Sequence, residues 1–242
     1  MMPNVKTVYD VLERTWPAAG YALQGPWQIR YGKGGGKRVC AATLDGTLTA
    51  DALPGAERAM QVLGQVSLFM VRHGEYALDT LLAGQGYQVI DPVNIYVGAT
   101  APLALQPPRT ASFAIWEPMA IQVDIWAQGG IGPARMDVMR RVQGPKTSLF
   151  GRSDSRPAAT GFVAIHDGIA MVHALEVLSR HRRSGMGRYL MQQAALWAQE
   201  QGASHISAVC TKENTSANAL YTDLGMTQVG GYHYRLKQEL TE

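Results

Sequence analysis

The segment Arg182-Arg183-Ser184-Gly185-Met186-Gly187-Arg188 follows the apolar run Leu175-Glu176-Val177-Leu178 and precedes a stretch with helical spacing. Glycine has no Cβ, so Gly185 and Gly187 let the backbone approach a ligand closely and adopt positive φ. The first N–H groups of a helix lack internal acceptors, and the helix dipole places partial positive charge there. An anion is stabilised at such an end. Arg182, Arg183 and Arg188 add full charges, and guanidinium forks match phosphate oxygens. The chemistry these residue types suggest is capture of a diphosphate.

Arg-x-x-Gly-x-Gly is a weak pattern, so the surrounding elements decide its meaning. Upstream, Gly161-Phe162-Val163-Ala164-Ile165 and the run Ile169 to Leu178 flank His166-Asp167-Gly168. Asp-Gly between apolar runs predicts a hairpin. Downstream, Leu190, Met191, Ala194, Trp197 and Ala198 recur at helical spacing, and Gly202 stands where a C-cap belongs. A strand at His205 to Cys210 follows, then Asn214-Thr215-Ser216-Ala217-Asn218-Ala219-Leu220-Tyr221 and Leu224-Gly225-Met226. Read locally, Asn214 is an N-cap for a helix beginning near Thr215. Tyr221 is, on the same local reading, a core aromatic with a satisfied hydroxyl.

Together the two segments resemble the signatures of the GNAT superfamily of N-acetyltransferases. The family's Asn-x-x-Ala-x-x-Leu-Tyr-x-x-x-Gly-Phe is matched everywhere except the last place, where Met226 stands. The resemblance covers roughly residues 108 to 240 and implies an α/β fold with a central mixed sheet flanked by helices. It implies acetyl-CoA as acyl donor, its pyrophosphate held by Arg182, Arg183, Ser184, Gly185, Met186 and Gly187 with Arg188 beside it. The preceding strand is expected to splay from its neighbour, with Val177 along the pantetheine arm. Asn214 inherits a contact on the pantetheine side, and Tyr221 the role of acid toward the departing thiolate.

Acyl transfer to an amine needs the neutral amine, so a group near the site must take a proton around neutral pH. Val172-His173-Ala174-Leu175-Glu176-Val177 resembles the strand of arylalkylamine acetyltransferases, in which a His at the place of His173 serves as base. Histidine titrates in the required range without tuning. Glu176 is the other candidate, placed by strand alternation on the opposite face. Related enzymes often carry a Glu further upstream, where this chain has Met171.

The remaining sequence bounds the reading. With 242 residues the chain is long enough for two modest domains. A net charge of +3 without a Lys/Arg run interleaved with aromatics argues against a nucleic-acid partner. Cys40 and Cys210 lack metal-ligand spacing and suggest reduced thiols in the cytoplasm, with no metal expected. The first ten residues lack a signal-peptide core, and no run of eighteen apolar residues predicts a membrane span.

The stretch Gly98 to Pro108, rich in proline, reads as a linker. Before it, helices are expected at Val5 to Arg14, Ala52 to Leu63 and Tyr76 to Ala83. Strands are expected at Trp27 to Tyr31, Arg38 to Thr43, Ser67 to Val71 and Gln88 to Val97. That order is a reduced GNAT-like half, and Leu78 to Tyr87 faintly echoes the segment from Ala217 onward. On that alignment Leu82 replaces Tyr221 and Glu75 replaces Asn214, so this half has lost the chemistry. The loop Gly32-Lys33-Gly34-Gly35-Gly36-Lys37-Arg38 fails as a P-loop, because its glycine spacing is one short and Arg38 replaces Ser or Thr. The expected organisation is a degenerate GNAT-like domain over 1–98, a linker over 99–108 and a catalytic domain over 109–242.

The acceptor wall is expected between Trp116 and Arg141, where Trp116-Glu117-Pro118 and the glycines from Gly129 break the helical pattern. Glu117, Asp124 and Asp137 are candidates for attracting an amine, and the tryptophans Trp116 and Trp126 for stacking on it. The reading is transfer of acetyl from acetyl-CoA to a small-molecule or peptide amine, by direct attack in a ternary complex. Two other classes stay open: a non-catalytic acyl-CoA-binding module, and an aminoacyl or peptidyl transferase of tandem GNAT-like type. Homodimerisation is left open too.

Overall fold

The computed structural model describes residues 2–49 and 51–237. The chain runs α1 (Val5–Thr15), β1 (Gly20–Gln24), β2 (Trp27–Tyr31), β3 (Thr43–Leu44), α2 (Leu53–Val62), β4 (Leu68–Arg72), α3 (Tyr76–Gly84) and β5 (Gln88–Ala99). Next come α4 (Thr100–Leu103), β6 (Ser112–Ile115), α5 (Ala120–Gln128), α6 (Pro133–Arg141), β7 (Lys146–Ser153), β8 (Arg156–His166) and β9 (Ile169–Val177). The last elements are α7 (Met186–Glu200), β10 (His205–Thr211), α8 (Thr215–Asp223) and β11 (Thr227–Leu236).

Two compact units emerge. One joins the N-terminal segment up to Pro17 with Ile95–Val229, and the other joins Ala18–Asn94 with the C-terminal strand from Gly230. In the first unit β10 is flanked by β9 and by β5, which precedes the proline stretch. In the second unit β4 is flanked by β11, the last strand, with Tyr232 opposite Arg72 and Leu236 opposite Leu68. The first unit thus takes in the N-terminal segment and the second the C-terminal strand, each from a distant part of the sequence. The expected cut at residue 98 does not coincide with either unit for that reason.

The proline stretch is likewise no bare linker. The Thr100 amide donates to Ser204 O at 3.0 Å, its hydroxyl to Ala203 O at 2.9 Å, and Leu103 is buried in the core.

In the first unit the sheet runs β5-β10-β9-β8-β7-β6, with β9 and β10 parallel and β6 to β9 antiparallel. It is the mixed sheet flanked by helices that the sequence implies. Asp167 and Gly168 both take positive φ at the β8–β9 hairpin, as an Asp-Gly turn demands. On one face α7 buries Met186, Leu190, Met191, Ala194, Ala195 and Ala198 against Leu149, Val163, Ala170 and Val172.

The opposite face carries α1 and α5. Val8, Val11, Leu12 and Thr15 recur at helical spacing and seat α1 on β8 and β9. Asn4 starts this helix, its side chain accepting from the Thr7 amide at 2.9 Å. Gln122 fixes α5: buried, it donates to Ser148 Oγ, Leu149 O and Thr160 Oγ1. The expected break between Trp116 and Arg141 resolves into two helices, α5 and α6, separated by the glycines from Gly129 to Gly132.

The second unit packs Trp27, Ile29, Leu53, Met60, Phe69, Leu78, Leu82 and Tyr87 into its own core. The expected strand at Arg38 to Thr43 is replaced by a 3-10 turn at Lys37–Val39 and the two-residue β3. Arg38 explains the departure, since its buried guanidinium hydrogen-bonds Tyr232 and Tyr234. The strand β1, exposed along most of its length, had no apolar pattern to announce it.

Candidate active site

The pairing of β8 with β9 shifts register in the middle. Thr160 lies opposite Glu176 and Phe162 opposite His173, so Gly161 faces two residues, Ala174 and Leu175. Ala174 takes φ +50, the mark of an inserted residue. Strict alternation would put His173 and Glu176 on opposite faces. The bulge reverses that parity, because Thr160 and Phe162 share a face and each strand residue shares the face of its direct partner. Glu176 therefore lies on the same face as His173, not on the opposite face that strict alternation predicts. Leu175 and Val177 turn to the α7 core instead.

Past the bulge the sheet opens. Parallel pairing of β9 with β10 stops at Val172 opposite Ala208, although the strands run on to Val177 and Thr211. This is the splay expected of the strand carrying Val177. The α5 end of the face is closely set around Glu176, where a Cβ added at Gly129 would lie 2.6 Å from the carboxyl carbon. Trp126 Nε1 donates to Ala174 O at 2.7 Å and so ties α5 to the bulge.

Arg182, Arg183, Ser184, Gly185, Met186, Gly187 and Arg188 form the turn into α7. Gly185 is the N-cap at φ +82, and no side chain caps the helix. The amides of Gly185, Met186, Gly187 and Arg188 reach no acceptor among the described residues. Such an uncapped, glycine-lined N-terminus fits a diphosphate. Gly187 has a second reason to lack a side chain, since a Cβ there would meet Leu220 of α8 at 2.9 Å. Arg182 turns back onto the strand, with Nε on Val177 O at 3.2 Å and Nη2 3.5 Å from Glu176 Oε1. Arg183 is exposed and takes φ +62.

Asn214 caps α8, its side chain accepting from the Ala217 amide at 3.1 Å. That is its observed local role. Tyr221 is buried at 5 % exposure and packs on Tyr96 at 5.4 Å between ring centroids. The Tyr96 hydroxyl donates to Asn218 Oδ1, whereas no described protein group hydrogen-bonds the Tyr221 hydroxyl. Burial is the main reason its pKa rises well above the ordinary value, with Cys210 and Tyr96 adding to the effect. Cys210 stands on β10 beyond its last pair with β9, and burial pushes its thiol up to about 11.

His173 is buried at 4 % exposure between Trp16, 4.9 Å away, and Phe162, 6.3 Å away. Its Nε2 lies 2.8 Å from Thr15 Oγ1. Thr15, Trp16 and Gly129 escaped sequence reasoning; Thr15 and His173 are separated by 158 positions, and no local pattern links them. Of the expected acceptor-side carboxylates, Asp137 is exposed and pairs with Arg140, and Glu117 and Asp124 are exposed. In the second unit, Lys37 of the glycine-rich loop is paired with Asp91 and Lys33 lies over the Tyr31 ring.

A mixed sheet that splays beside an uncapped, glycine-lined helix N-terminus defines the class, and comparison with known proteins agrees. The model of the acetyltransferase (GNAT) family matches residues 121–226. Residues 121–226 thus match a GNAT-family acetyltransferase domain. Along its whole length it is similar to the uncharacterized N-acetyltransferase YobR of Bacillus subtilis, at 24 % identity over 98 % of this chain and 100 % of that one. Its fold is that of a GCN5-related N-acetyltransferase from Kribbella flavida, with a TM-score of 0.73 at 16 % identity over 96 % and 95 % of the two chains. A tandem GNAT protein from the clavulanic acid biosynthesis pathway superposes with a TM-score of 0.61 at 14 % identity, over 81 % of this chain and 74 % of that one. Among the described residues no helix is long and apolar enough to cross a membrane, and no His/Cys/Asp/Glu cluster is suited to a metal.

Proposed function

We propose that the protein transfers an acetyl group from acetyl-CoA to a primary amine by direct attack in a ternary complex, in the cytoplasm. The carrying observation is the opening between β9 and β10, with the unbonded Tyr221 hydroxyl beside its β10 edge and the bare α7 N-terminus next to α8. The α7 amides, with Arg183 and Arg188, hold the diphosphate, and the β9 backbone near Val177 accompanies the pantetheine arm. The thioester supplies the acyl carbon; the C–N bond forms as the C–S bond breaks. Tyr221 gives its phenolic proton to the departing sulfur, and its raised pKa keeps that proton in place at neutral pH. His173 takes the proton of the attacking amine, directly or through water. Glu176, on the same face, favours a cationic acceptor. Residues 18–94 retain a GNAT-like helix-strand order without the phosphate loop, and complete the fold.

Acceptor profiling tests this reading. Amines, amino acids and peptides are incubated with acetyl-CoA, and free CoA and acetylated product are measured. Acetylation of a primary amine in step with CoA release is expected. Tight acetyl-CoA binding without transfer across the whole panel would leave an acyl-CoA-binding module.

A further inference from the structure

We infer that Thr15 is a positioning residue for His173, holding the imidazole in the tautomer with its proton on Nε2 and its lone pair on Nδ1. This rests on the reading of His173 as the base. The Thr15 hydroxyl has one proton, and Oγ1 lies 2.6 Å from Val11 O, four residues back in α1. A carbonyl only accepts, so that proton is committed to Val11. Toward His173 Nε2, at 2.8 Å, Thr15 Oγ1 can then only accept. The ring nitrogen must therefore be the donor.

Burial makes the assignment strict. Thr15 is 0 % exposed, and with His173 buried as well, two facing lone pairs would have no water to satisfy them. Trp16, the next residue, packs on the same imidazole, so consecutive residues at the end of α1 fix both its ring plane and its tautomer. Phe162 covers it from β8. Of the titratable groups on the packed elements, Glu176 shares the face, Tyr9 and Glu13 of α1 are half-buried, Asp124 of α5 is exposed, and Asp10 pairs with Arg14 and His166 at the surface. When His173 takes a proton it does so at Nδ1, and the Nε2–H bond to Thr15 persists through the change. The N-terminal helix thereby acquires a part in the chemistry of a strand far along the chain.

Long-range 15N–1H NMR on the full chain with 15N-labelled histidine reads the tautomer without any substrate; the His173 signal is identified by its loss in His173→Gln. The wild type is expected to show Nε2–H. Thr15→Val keeps the shape but removes the acceptor, and should populate both tautomers. It should lower kcat for acetyl transfer by about 10-fold, the scale of one hydrogen bond, with little change in KM for acetyl-CoA. Thr15→Ser should restore both readouts. A wild-type Nδ1–H tautomer, or an unchanged spectrum in Thr15→Val, overturns the assignment; if Thr15→Val does not fold, the wild-type spectrum alone decides. Full activity of His173→Gln alongside an Nε2–H tautomer in the wild type would instead remove the base reading and leave the Thr15 contact intact.

Discussion

His173 and Glu176 share one face of the sheet although three positions separate them, because the bulge sets two β9 residues, Ala174 and Leu175, against the single Gly161 of β8. An imidazole and a carboxylate are thus offered to the same side, beneath α1 and α5. Their roles separate by pH profile.

His173→Gln should lower kcat/KM on the order of 10²-fold at neutral pH and remove its titration from the acidic limb. The sign follows from its role: a base works deprotonated, so activity rises as pH climbs through its pKa. Glu176→Gln should keep that limb and mainly raise KM for a cationic amine. Loss of the limb in Glu176→Gln, with His173→Gln unaffected, would transfer the role to the carboxylate.

The turn into α7 separates strain from ligand binding. Gly185→Ala forces a side chain to φ +82 and should cost about 1 kcal/mol of stability, seen as a lower Tm. Gly187→Glu places a carboxylate where the diphosphate is expected, and only the flexible end of Leu220 must yield to its Cβ. A carboxylate in the first turn also suits the helix dipole. The fold should therefore persist while calorimetry detects no acetyl-CoA binding. Wild-type affinity in Gly187→Glu would move the site elsewhere.

Tyr221→Phe removes a hydroxyl with no described protein partner, so Tm should not fall. The kcat should drop about 10²-fold with acetyl-CoA affinity little changed. Because burial raises its pKa, the phenol stays protonated through the ordinary tyrosine range, and kcat should not decline as pH approaches about 10 through loss of this acid. Unaltered turnover where chemistry limits the rate would leave Tyr221 as a packing residue.

Cys210 stands on β10 beyond its last pair with β9, yet its thiol is pushed up to about 11 and is protonated at neutral pH. A thiol is a far weaker nucleophile than a thiolate. Intact-mass measurement after exposure to acetyl-CoA should show no acetylated protein, and Cys210→Ala should keep most activity. A stoichiometric acetyl adduct lost in that variant would replace direct attack by a two-step route.

Much of the site's scaffold was legible because its chemistry is local. Asp167-Gly168 sets a turn from its own backbone preferences, Gly185 opens a helix, Asn214 caps one, and Leu190 to Ala198 repeat on one helical face. Each property depends on neighbours within a few positions, and so is written in the order of residues. The expectations that changed depend on distant partners. Alternation misplaced Glu176 because a bulge is a property of two paired strands, invisible in either alone. A proline stretch that reads as a linker became α4 through bonds to Ala203 and Ser204, and Arg38 left its expected strand for tyrosines near the other end of the chain. Thr15 is the clearest case. Its sequence neighbourhood shows an ordinary helix end, and only tertiary folding, by laying α1 across β9, turns its hydroxyl into the partner of His173.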